Sequence, residues 1–271
     1  MIWVIIFGLF WFLYLIFALI NIFNGAYDGP QLVETLLGFV GLSVTFLYYL
    51  YQHSLSFYIY WSRFINWFRN YPSRWRIDIR FDGDFKDDVI KEISDFVVSS
   101  KNKYSNAKIY QRTFNSINFS ISETLNFYID LRHKGTNGYD FDTIDISLAP
   151  FEIGSNNSKQ KLNTEIIPIL NDLQKIIKPN NTSFVFNVKF LKYNPFHPFF
   201  IARLKPSQIE TFRIDLKIDK YSKLESGDFV SIDKDTICLT ASDVHVLKEL
   251  FNDFIYLSSG IKNVLRDNSN A

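Results

Sequence analysis

The sequence predicts a two-part protein: a membrane α-helical hairpin of two transmembrane helices, then a cytoplasmic α+β domain with a largely antiparallel sheet. Three observations predict it. Residues 1–62 carry only two formal charges, Asp28 and Glu34. Charge then returns abruptly: the rest of the chain holds all 29 Lys and Arg and, with Asp28 and Glu34 set aside, 26 of the 28 acidic residues, a net of +3. From Trp75 onward, apolar residues recur with the two-residue period of strands and the 3.6-residue period of helices. A length of 271 residues suits one sizeable domain beside a membrane segment. The expected division is 1–62 as the two-helix transmembrane segment, 63–74 as a basic juxtamembrane stalk, 75–262 as the sensor or interaction domain, and 263–271 as a flexible tail.

Met1 to Phe23 contains no charged residue. A helix of that length rises about 34 Å, enough for a hydrocarbon core of about 30 Å. A cleaved signal peptide needs a basic start and a small-residue cleavage site after a shorter apolar core. Neither pattern is present, so this segment is expected to stay attached. The second uncharged run extends from Thr35 to Ser62, with Leu36 to Tyr51 its most apolar part. Tyr48, Tyr49, Tyr51, Phe57, Tyr58, Tyr60, Trp61 and Trp67 crowd its far end, where rings suit the headgroup level. The first strong helix breaker beyond it is Pro72, so the helical pattern is expected to reach about Asn70.

Orientation follows from the flanks. The connecting loop and its margin hold Asp28 and Glu34; Arg63, Arg69, Arg74, Arg76 and Arg80 follow the second span. Basic residues collect on the cytoplasmic side, which places both termini in the cytoplasm. Arg63, Arg69 and Arg74 are candidates for contact with anionic lipid headgroups.

Gly38, Gly41, Thr45, Tyr48, Gln52 and Ser56 fall within an arc of about 80° if the second span is one continuous helix. Small and polar residues along one stripe of a lipid-embedded helix need protein or water beside them. Two readings stand: packing within the hairpin, or the seam or pore of an oligomer.

In the soluble part, Trp75 to Phe81 alternates as a half-buried strand, and Asp82-Gly83-Asp84 supplies a turn and helix cap. Val89, Ile90, Ile93, Phe96 and Val97 mark a helix. Three strands are expected around 117–121, 125–131 and 144–148, as a meander with one polar face. A helix from Thr164 to Lys178 follows, with Pro168 tolerable in its first turn. Strands at Phe184–Phe190 and Phe212–Ile218, and two more flanking Asp233-Lys-Asp235, precede a last helix from Ser242 to Ser259 with Gly260 as its C-cap. The predicted order is β-α-β-β-β-α-β-β-β-β-α, an α+β arrangement. Residues 75–82 also echo residues 212–219, as a duplicated unit or as two similar alternating strands.

Chemistry is sparse. No phosphate-binding glycine loop, nucleophile turn or H-E-x-x-H occurs, so an enzyme is not expected. No metal site or cofactor is expected either: His245 and Glu249 share a helix face without a third ligand, and the single Cys238 lies in a strand-like run as a structural thiol. Asp140, Asp142 and Asp145 read as a polar hairpin turn. Arg132-His133-Lys134 is the most concentrated basic turn. It is the candidate ligand contact, through the affinity of Arg and backbone N–H for phosphate, against the alternative of a solvated hairpin end. The aromatic loop Asn194 to Phe200 is too apolar to be idle. The abundance of Phe (28) and Tyr (15) fits either base-stacking platforms or the codon usage of a low-GC genome.

Two N-terminal spans, Met1–Phe23 and Leu36–Tyr51, joined to a small cytoplasmic α+β domain resemble the two-transmembrane effectors of bacterial antiphage signalling systems, of the cyclic-oligonucleotide-gated or Hailong type. The resemblance covers the architecture of the whole chain. It implies a homo-oligomer that permeabilises the membrane when a nucleotide or oligonucleotide ligand, or a partner protein encoded nearby, is sensed. The three helices near 86–100, 164–178 and 242–259 depart from the all-β sensor of one subtype. The alternative is a membrane-anchored binding or scaffold protein with no pore activity.

Overall fold

The computed structural model describes residues 2–25, 29–100, 103, 104, 106–135, 141–192, 194, 213–217 and 228–255, without the side chains of 2–9, 55 and 217. The chain divides into two compact units, Met1–Ser62 and Arg63–Ala271.

The first unit begins with α1 (Ile2–Phe23) and α2 (Gly29–His53). Their facing residues run in opposite directions, as a hairpin requires. Trp11 Nε1 donates to Ser43 Oγ at 2.8 Å, and Tyr14 OH donates to the Thr35 carbonyl at 3.3 Å. Between these bonds, Phe39 sits against Trp11 and Tyr14 with ring centroids 5.5 and 6.4 Å apart, and Phe46 stacks on Trp11. The Ser43 hydroxyl donates in turn to the Phe39 carbonyl at 2.7 Å. The indole N–H therefore finds an acceptor in an otherwise apolar seam. Among the described residues one helix, Gly29–His53, is long and apolar enough to cross a bilayer; Phe10–Phe23 is apolar but shorter.

The long second helix expected from the sequence is two helices. It stops at His53 and restarts as α3 (Leu55–Arg69). Ser54 makes the break by acting as a cap, its Oγ accepting from the Phe57 N–H at 3.3 Å. Val44, Leu47, Tyr48 and Tyr51 of α2 and Phe57 and Trp61 of α3 line one apolar cavity of about 350 Å³. α3 ends before Pro72, at Asn70, whose φ of 44° is the left-handed conformation that asparagine tolerates.

The second unit is a nine-stranded antiparallel sheet with helices on one face. Its elements are β1 (Pro72–Gly83), α4 (Val89–Ser99), β2 (Lys108–Arg112), β3 (Ser116–Ser120), β4 (Asn126–Arg132), β5 (Asp142–Gly154), α5 (Ser155–Lys161), a π-helical turn (Leu162–Ile166), α6 (Ile167–Ile177), β6 (Asn181–Phe190), β7 (Arg213–Lys217), β8 (Phe229–Asp233), β9 (Thr236–Ala241) and α7 (Val244–Phe254). The strand order is β2-β3-β4-β5-β1-β6-β9-β8-β7. β1 and β6 are the two central strands, and from each the chain crosses to an edge and returns by an antiparallel meander.

β1 shows why one face is covered. Trp75, Ile77, Ile79 and Phe81 are buried, while Arg74, Arg76 and Arg80 on the opposite face are exposed. Trp75 is the hub of the core, with ring centroids 5.7 Å from Phe151, 5.2 Å from Phe186 and 4.8 Å from Phe251 of α7. Its indole N–H donates to Ser73 Oγ at 2.9 Å. Truncating such a residue to Ala costs about 3–5 kcal/mol. α4, α6 and α7 form the helical layer over this face, in that order.

Four expectations need correction. β2 was absent from the predicted order because Lys108-Ile-Tyr-Gln-Arg112 is an edge strand, mostly exposed, with no core-facing alternation to read. β5 does not stop near Leu148 but runs to Gly154: register slips between Trp75 and Ile77, leaving Ala149 and Pro150 opposite Arg76. A bulge is where a strand accommodates proline. The helix expected from Thr164 begins at Ser155, and Pro168 sits inside the helical run, with the π-helical turn directly before it to absorb its missing N–H and its ring. The last helix is capped by Asp243, not Ser242, its Oδ1 accepting from His245 N (2.5 Å) and Val246 N (3.1 Å). Gly260, the tail 263–271, Asp140 and, apart from Asn194, the loop to Phe200 lie outside the described residues. The sequence echo pairs β1 with β7, one central and the other at an edge; the topology instead makes β6 the counterpart of β1.

Candidate functional site

The stripe on α2 separates from the face that packs on α1. The packed face is Thr35, Phe39, Ser43 and Phe46. Of the stripe, Gly38 meets α1 among the described side chains: a Cβ there would lie 2.9 Å from the Tyr14 hydroxyl, so glycine admits that ring. Gly41 has open space around it, Thr45, Tyr48 and Gln52 are exposed, and Tyr48 is 62 % accessible. The Thr45 hydroxyl donates back to the Gly41 carbonyl at 2.9 Å. Ser56 belongs to α3, beyond the break at Ser54, so it does not continue the α2 stripe as the sequence count assumed.

The three arginines expected to meet lipid headgroups have different settings. Arg69 Nη1 donates to Tyr71 OH at 2.7 Å, and its guanidinium lies 5.8 Å from the same ring. Arg74 is in β1 and pairs with Glu152 of β5 at 2.6 Å on the open sheet face. Both partners are about half exposed, so the pair contributes at most about 1 kcal/mol. Arg63 lines a cavity in the α+β unit.

The basic turn is tied to acidic residues. The register sets Asp130 directly opposite Asp145, a like-charge pair that is unfavourable by itself. Arg132 answers it by reaching both, with Nε 3.2 Å from Asp130 Oδ2 and Nη2 3.3 Å from Asp145 Oδ2. Arg80 adds a 3.0 Å contact to Asp145 from β1. Asp142 clamps the turn, accepting from Lys134 N (2.7 Å) and Phe85 N (3.3 Å), with His133 Nδ1 at 3.7 Å. A carboxylate spent on two backbone donors acts as a local fastener.

His245 Nε2 lies 3.7 Å from Glu249 Oε1, an i,i+4 contact at the surface of α7. Among the described residues, no group of three His, Cys, Asp or Glu could hold a metal ion. Burial pushes the Cys238 thiol above its usual range, which suppresses the thiolate.

One junction has no counterpart in the sequence reading. The first turn of α5 is capped by Asn70, at the end of α3, whose Oδ1 accepts from Asn156 N at 3.0 Å. Ser155 Oγ donates to the Asn66 carbonyl at 2.5 Å, and Ser155 N donates to the Tyr71 carbonyl at 3.2 Å. Gly154 permits the approach: a Cβ there would lie 2.4 Å from Asn70 Oδ1. These bonds join residues more than eighty positions apart and hold the last turn of α3 to the end of β5. An Asn two residues before Pro72 signals a helix end, but nothing local names the partner.

Against known proteins, no family model matches the chain and no curated protein matches it. Two of the solved structures that show a likeness are a phosphoglucomutase and a T6SS protein. The open form of the exocytosis-sensitive phosphoprotein parafusin, a phosphoglucomutase from Paramecium, is 15% identical over 57% of this chain and 29% of its own, with a TM-score of 0.24. A Pseudomonas aeruginosa T6SS protein is 12% identical over 64% of this chain and 66% of its own, with a TM-score of 0.28. The chain thus spans less than two thirds of either, and likeness this slight carries no argument about fold or function.

Proposed function

We propose that the chain is a membrane-embedded effector of a bacterial inner membrane, with both termini cytoplasmic. In this reading α1 and α2 span the bilayer as a hairpin. Copies associate through the stripe Gly41, Thr45, Tyr48 and Gln52, and the α+β domain senses a nucleotide, oligonucleotide or partner protein and gates permeabilisation in antiphage defence. The observation that carries the reading is the uncovered stripe: α2 uses a different face against α1, which leaves the small and polar residues facing outward. In hydrocarbon, such a surface is best satisfied by a second copy or by water inside an assembly. α3 offers the mechanical route, because its last turn is tied to α5 by Asn66 and Asn70.

The second reading, an anchored scaffold without a pore, is favoured by the Thr45 hydroxyl bonding within its own helix, which leaves that position content in lipid. Mass measurement of the full-length protein in detergent separates the two. An oligomer, together with a loss of dye-reported membrane depolarisation in Thr45→Leu and Gln52→Leu that still insert, supports the effector. A monomer, or depolarisation unchanged by both substitutions, refutes it.

A further inference from the structure

The α+β unit holds a cavity of about 230 Å³ beside the junction of α3 and α5. Its charged lining residues are Arg63 and Lys159, both cationic, and no carboxylate lines it among the described residues. The Lys159 ammonium has no ion-pair partner among the described residues, unlike the lysines at 103, 161 and 189. Three rings, Trp67, Tyr71 and Phe190, contribute the apolar walls. Ser73, Ser155 and Ser158 also line it, but each hydroxyl already donates to a backbone carbonyl, so donors for a ligand come from the Lys159 ammonium and the Asn66 and Asn156 carboxamides, with Arg63 adding its positive charge.

Two cations without a carboxylate select an anion, and rings beside them select a flat or apolar group attached to it. The volume lies below the ~300–1,000 Å³ of sites that enclose a drug-sized molecule. One phosphate with one ring is therefore the scale of what enters, and no more than one unit of a longer strand. We propose that this cavity binds a phosphate ester, with Arg63 and Lys159 on the phosphate and Trp67 and its neighbouring rings against the esterified group. A soluble mononucleotide unit and a lipid headgroup share that chemistry. The cavity wall includes Asn66, Tyr71, Ser155 and Asn156, which also make the bonds between α3 and α5, so an occupant bears directly on that junction. The proposal rests on reading the α+β domain as a sensor, but the binding measurement does not involve permeability, so either can fail alone.

The test uses the full-length protein in phosphatidylcholine nanodiscs. Adenosine monophosphate, dihexanoyl phosphatidylglycerol, inorganic phosphate and adenosine are titrated separately by calorimetry. Saturable binding of either phosphate ester is expected, and which of them binds assigns the source. Lys159→Gln and Arg63→Gln each weaken it about tenfold, the loss of one charge-assisted contact. Trp67→Leu weakens the ester several-fold and leaves inorganic phosphate unaffected, while Lys189→Gln, outside the cavity, changes nothing. Failure of both esters to bind, equal binding of adenosine, or affinity unmoved by Lys159→Gln and Arg63→Gln overturns the assignment.

Discussion

Asn70 has two jobs, and substitutions at this position take them apart. Its φ of 44° costs an ordinary L-residue about 1 kcal/mol or more, a cost that Gly escapes and that Asn and Asp reduce. Its carboxamide oxygen caps α5 through Asn156 N at 3.0 Å, a bond whose loss costs about 1 kcal/mol. Asn70→Ala loses both and should destabilise the α+β unit by about 2 kcal/mol. For a domain of this size that is about 4–8 °C in Tm. Asn70→Gly loses the cap but gains the permissive backbone, so it should fall within about 1 kcal/mol of the parent. Asn70→Asp keeps an acceptor for the helix N-terminus and should be close to neutral. Gly154→Ala puts a methyl against Asn70, and combining it with Asn70→Gly removes the obstacle, so the two should be non-additive with the double variant partly rescued. Thermal unfolding of the full-length protein in detergent, followed by near-UV circular dichroism, reads all of these. An Ala variant no less stable than the Gly variant would refute the backbone argument, and strict additivity with Gly154→Ala would refute the contact.

Three further expectations follow from single groups. Arg132→Gln leaves Asp130 and Asp145 opposed, so it should lower stability by about 1 kcal/mol, and adding Asp145→Asn should restore most of that; a variant as stable as the parent would show the network to be inconsequential. The Ser62 hydroxyl is buried without a hydrogen-bond partner among the described residues, so Ser62→Ala should raise thermal stability, by up to about 1 kcal/mol; a clear loss would reveal a bond the hydroxyl makes. Because burial raises the Cys238 pKa, its thiolate fraction falls below that of a free thiol at any pH under the folded pKa. Its reaction with an aromatic disulfide reagent at pH 8 should be slower in the folded protein than after denaturation, and equal rates would remove the burial effect.

The legible part of this protein was whatever its periodicity encodes. Trp75 to Phe81 alternates in sequence and in burial alike, and of the stripe Val89, Ile90, Ile93, Phe96 and Val97 all but the half-buried Phe96 are buried. What escaped has local causes that tertiary structure overrides. The strand expected over 144–148 runs on through a bulge at Pro150; Pro168 looked like a helix start and became a π-turn neighbour; β2 showed no pattern because an exposed edge needs none. At the candidate sites, the basic turn was visible as composition, but its neutralisation was not, since Asp145 reaches Arg132 only through β4–β5 register.

By itself the sequence determined where charge stops and returns, which segments are uncharged and apolar, and that an α+β sheet follows. Those properties are sums over neighbouring residues, and hydrophobic transfer depends on composition and period rather than on distant partners. Only the tertiary structure decided which face of α2 meets α1, that Ser54 breaks the second helix, and that Asn70 caps a helix more than eighty residues away. It alone brought Arg63 and Lys159 to one cavity. Directional hydrogen bonds and close packing depend on atoms brought together by the fold, and separation along the chain says nothing about which atoms those are.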